Sequence, residues 1–90
     1  MSFTKAQDLT DVGNMKTKLT TVQTTRGTRN EARALSEWAT EKATVEGRST
    51  LNNKRLGIDY MQHMIDGGFD QLAIDHCTNL EKILNDIPGT

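Results

Sequence analysis

The apolar residues of this chain recur at intervals of three and four, which is the spacing of a helix and not of a strand. The N-terminal half shows this most clearly, at Val12, Met15, Leu19 and Val22. The surrounding segment is rich in threonine, a β-branched residue that forms helices poorly. A strand would need alternating apolar and polar residues, and the pair Thr20–Thr21 interrupts that alternation. The pattern therefore predicts an all-α protein with no sheet.

Turn and capping signals predict three to four amphipathic helices in a single helical domain that spans residues 1–90. Residues 1–27 are predicted to form one or two polar N-terminal helices, beginning after the N-cap Thr4. Residues 28–47 are predicted to form a central helix that is capped by Thr28 and ended by Gly47. Both segments are more polar than the remainder of the chain.

Residues 49–87 are predicted to form a C-terminal αα-hairpin that turns at Asp66–Gly68, the clearest turn signal in the chain. Gly57 lies inside the first arm, where it predicts a kink or a close helix crossing. The second arm carries the densest apolar stripe. We therefore expect Leu80 and Leu84 to contribute more to stability than Leu9 and Val12 of the N-terminal helix do.

The composition predicts a lean core. The chain has 90 residues, of which 34% are hydrophobic and 4% aromatic, whereas an average domain is roughly 45–50% apolar when Gly is counted. A chain of this length also buries only about 60% of the surface that its unfolded form exposes. Such a chain is expected to gain buried surface from partners, which are copies of itself or a larger protein scaffold.

Charge is unevenly divided along the chain. Residues 1–33 carry six basic and three acidic side chains, and residues 34–90 carry five basic and nine acidic ones, for a net charge of −1 overall. Opposite charges on the two halves could orient contacts between copies, although ordinary surface scatter explains them equally well. The near-neutral total predicts no nucleic-acid partner, because nucleic-acid binding needs an excess of basic residues.

Several other classes of protein are excluded by simple features. No apolar run approaches the roughly 20 residues that a membrane helix needs, so we expect no membrane partner. The N-terminal residues lack the apolar stretch of a signal peptide. Cys77 is the single cysteine, which rules out an intrachain disulfide. The expected location is the cytoplasm, or a particle assembled there.

Neither a metal site nor a catalytic site is predicted. His63, His76 and Cys77 are the soft ligands of the chain, and no HExxH or CxxC spacing accompanies them. Cys77 falls on an apolar helix stripe, which favours a buried structural thiol over a nucleophile. No serine lies in a GxSxG context and no Gly-rich phosphate loop is present. We therefore expect no metal, no cofactor, no small-molecule ligand and no enzymatic activity.

Trp38 is the largest apolar side chain and the only indole. Tryptophan is enriched at binding hot spots, and an interface is as compatible with this residue as a place in the core. Leu35 lies one helical turn away, while Met61 and Met64 could line a soft contact surface. The sequence therefore predicts an interface formed by Trp38, Leu35, Met61 and Met64.

A candidate anion site occurs where the first helix ends and the central helix begins. It consists of Arg26, Thr28, Arg29 and Arg33. Backbone N–H groups at a helix start, a hydroxyl and guanidinium groups can together hold a phosphate or carboxylate. The alternative is that Thr28 is a plain N-cap and that the arginines are solvated or paired with acidic side chains.

These features favour a non-enzymatic structural or assembly protein, a small helical component of a larger homo- or hetero-oligomeric complex such as a virion or a secretion apparatus. The alternative is a small helical inhibitor or adaptor, for example a phage-encoded anti-defence protein. Such a protein would bind a host protein, or sequester an anionic small molecule, through a helix face. The lean core, the apolar stripes and the missing catalytic motifs support the first class.

Overall fold

The computed structural model describes residues 4–88, and every regular element within them is a helix. The prediction of an all-α protein is thus confirmed for the described part of the chain. The five helices are α1 (Lys5–Thr25), α2 (Glu31–Arg48), α3 (Asn52–Arg55), α4 (Ile58–Asp66) and α5 (Asp70–Asp86). Between residues 4 and 88, no helix is both apolar enough and long enough to cross a bilayer.

Helix α1 is continuous despite its threonines. Thr4 caps it as predicted, because its hydroxyl accepts a hydrogen bond from the Gln7 backbone N–H at 3.1 Å. The threonine hydroxyls on its surface donate to backbone carbonyls one turn earlier, for example from Thr17 to Gly13 at 3.0 Å. Of the predicted one or two N-terminal helices the structure has one, since Gly13 and Asn14, where the chain could have broken, both lie inside α1. Phe3, which sequence spacing places on the same stripe, lies outside the described residues.

Contacts between elements establish an up-down-up-down arrangement with four legs. Helix α2 runs against α1, because Arg48 at its end pairs with Asp11 near the start of α1. Helix α5 also runs against α1, as the pairs Lys16–Glu81 and Gln23–Gln71 show. The third leg, α3 followed by α4, runs with α1. Arg55 of α3 pairs with Asp8 near the start of α1, and the C-terminal end of α4 lies beside the end of α1.

The centre of the bundle is α1, contrary to the expectation that the last helix holds the densest core. Four α1 side chains are completely buried, namely Val12, Met15, Leu19 and Val22. Helix α1 packs against both α2 and α5, so its narrow apolar stripe is covered from two sides. In α5 Leu84 is buried, but Leu80 is only partly buried, like Leu9 of α1, and Ile83 is exposed. The polar composition of α1 hid its central position, because a narrow stripe is enough when two neighbours cover it.

The backbone conformation shows the outcome of the predictions for two glycines, Gly47 and Gly57. Gly47 lies inside α2, which ends at Arg48, so the central helix does not stop where the sequence indicated. Gly57 does interrupt the first arm of the predicted hairpin, and it divides that arm into α3 and α4. It adopts a left-handed conformation with φ of 65°. The arm is therefore two short helices rather than one helix with a kink.

Three nearly buried aspartates are each paired with an arginine from another element. Asp8 is paired with Arg55, Asp11 with Arg48, and Asp70 with Arg26. A buried carboxylate is costly unless it is paired and hydrogen-bonded. With Arg26 directly after the end of α1, these pairs connect α1 to each of the other three legs.

Candidate interaction surface

The four residues predicted to form an interface lie in or against the core of the chain itself. Trp38 has an exposure of 1% and Met61 of 0%, while Leu35 and Met64 are partly buried against them. The Trp38 indole N–H donates to the Gln62 side-chain oxygen at 3.0 Å, which satisfies its one polar atom inside the fold. Trp38 therefore joins α2 to α4 within one chain. Of the two places that the sequence allowed for it, core or interface, it lies in the core.

The candidate anion site is divided by the fold. Arg26 donates two hydrogen bonds to the Asp70 carboxylate, both at 2.8 Å, and one to the Ile65 carbonyl at 2.8 Å. It also reaches Glu31 at 3.2 Å. The hydrogen bonds to Asp70 raise the pKa of the Arg26 guanidinium above its ordinary value. Any anion would have to compete with these carboxylates for Arg26.

The other members of that site do not form the predicted cap. The Thr28 hydroxyl donates to the Thr25 carbonyl at 2.7 Å and accepts from the Asn30 N–H at 3.2 Å. Helix α2 begins at Glu31 after Asn30, and no side chain caps it. Arg29 is exposed, as is Arg33 one turn into α2. The structure thus makes Arg26 a structural clamp and leaves the other two arginines at the surface.

The soft ligands are also accounted for. Among residues 4–88, no group of three or more His, Cys, Asp or Glu side chains could hold a metal ion. A ring nitrogen of His76 lies 2.9 Å from the Leu56 carbonyl oxygen, within hydrogen-bond distance, and the His76 ring packs at 5.0 Å from Tyr60. Cys77 is fully buried, and this burial, with a smaller effect of the Glu81 carboxylate, raises the pKa of its thiol to about 12. Such a thiol remains protonated and is a poor nucleophile.

Several exposed apolar side chains lie on one side of α5 and at its two ends, and we call this surface the α5 flank. It consists of Phe69, Leu72, Leu80, Ile83 and Ile87. At 100° per residue these positions lie on one side of the helix, next to the side that faces the core. Their exposures are 59% for Phe69, 46% for Leu72, 58% for Ile83 and 47% for Ile87. Single exposed apolar residues are ordinary, whereas several on one side of a helix make that side a candidate interaction surface.

The C-terminal part of the α5 flank is open because α4 does not reach it. Helix α4 has 9 residues, whereas α5 has 17. Gly57, just before α4, lies against the ring of His76 in α5. Since α4 and α5 run in opposite directions, α4 lies beside α5 only from His76 toward Phe69, and even there Phe69 and Leu72 remain about half exposed. Leu80, Ile83 and Ile87 lie beyond the start of α4, where a longer third helix would otherwise pack.

The sequence analysis missed two features of the structure that leave a recognisable pattern in the sequence. Asp8 and Asp11 precede Val12 and Met15 by four residues each, so they continue the apolar stripe of α1. An acidic residue at a stripe position predicts a buried carboxylate and hence an arginine partner. Helix α5 has two neighbouring rows of apolar residues, both at helical spacing. The periodicity of the sequence does not show which row is buried, and the exposed side chains belong to the second.

Comparison of the chain with protein-family models, with curated proteins and with solved structures found no match.

Proposed function

We propose that this chain is a non-enzymatic assembly protein that joins a larger protein complex through the α5 flank. One observation carries the proposal: four large apolar side chains, Leu72 and Ile83 within α5 and Phe69 and Ile87 at its two ends, are each about half exposed. Covering them would remove apolar surface from water, and each side chain fully buried contributes roughly 1.5–3 kcal/mol. The proposal moves the interface from Trp38 and its neighbours to α5.

Three further features support a binding role. The lean composition leaves a 90-residue chain with few apolar residues, yet several of the largest are outside its core. The ion pair between the buried Asp70 and Arg26 attaches the start of α5 to the end of α1, which favours a fixed position of α5 in the bundle. The single thiol is buried and protonated, which is consistent with the proposed location in the cytoplasm or in a particle assembled there.

The proposal is tested by isolating a tagged chain from the cells that produce it and measuring the size of the complex in which it elutes. We expect the wild type to elute in a stoichiometric complex and the Ile83→Asp variant to elute as the isolated chain. Ala39→Asp is the matched control, because it places the same charge on the exposed side of α2. Equal behaviour of the Ile83→Asp variant and the wild type would contradict the proposal.

A further inference from the structure

We draw no further inference here: the strongest candidate, the C-terminal part of the α5 flank, where Ile83 and Ile87 remain about half exposed beyond the start of α4, belongs to the surface already described, and nothing in the structure of residues 4–88 shows what covers it.

Discussion

Replacement of Gly57 by alanine tests the most specific contact between the third leg and α5. Gly57 has φ of 65°, and a Cβ atom built there would lie 2.5 Å from the Nε2 atom of His76. An L-residue in the left-handed region costs about 1–2 kcal/mol. The His76 ring would also have to turn away, which removes its contact of 2.9 Å with the Leu56 carbonyl. That hydrogen bond contributes about 1 kcal/mol.

The Gly57→Ala variant should therefore be less stable than the wild type by about 2–3 kcal/mol. In a domain of this size the loss corresponds to a decrease in Tm of about 10–20 °C. Urea unfolding followed by circular dichroism and by Trp38 fluorescence measures it. In a His76→Ala background, Gly57→Ala should lower the free energy of unfolding only by the cost of the left-handed backbone conformation, about 1–2 kcal/mol.

Gly13→Ala is the matched control for this experiment. Gly13 lies in α1, and an added Cβ would meet nothing within 4 Å. Alanine is the better helix former, so this variant should gain about 0.5–1 kcal/mol. The reasoning about Gly57 would be refuted if both glycine variants changed the unfolding midpoint in the same direction.

Three further results are expected. Leu19→Ala should lower the free energy of unfolding by about 2–5 kcal/mol, clearly more than Leu80→Ala, because Leu19 is fully buried and Leu80 only partly. Equal urea midpoints of the two variants would show that α1 is not the centre of the core. Trp38→Ala should lower the free energy of unfolding by about 3–5 kcal/mol. Thermal unfolding followed by circular dichroism should show the same loss of stability at every protein concentration, since Trp38 contacts its own chain. A loss that shrinks as the concentration rises would indicate an interface. Burial raises the pKa of Cys77 from its usual value near 9 to about 12. As the pH rises, the unfolded chain therefore loses this proton first, and the free energy of unfolding should fall between those pH values. The fall should be smaller in the Cys77→Ala variant, and equal falls in the two proteins would contradict a buried thiol.

Local features of the fold could be predicted from the sequence because they depend on neighbouring residues. The interval of three and four among Val12, Met15, Leu19 and Val22 identified a helix despite its threonines, and all four are fully buried. The cap at Thr4 and the turn at Asp66–Gly68 also follow from short-range hydrogen bonding and backbone freedom. Gly68 indeed has a positive φ of 81°. Such features need no knowledge of how the helices pack.

The position of each helix was decided by tertiary packing, which joins residues far apart in the sequence. Nothing local shows that Arg26 lies against Asp70, 44 residues away, and so cannot serve as an open anion site. Trp38 was equally compatible with a core and an interface, until packing placed Gln62 within reach of its N–H group. Helix α5 has two possible apolar stripes, and the amphipathic pattern does not say which is buried. Packing against α1 buries one of them, and the C-terminal part of the other stays exposed because α4, which begins after Gly57, is too short to cover Ile83.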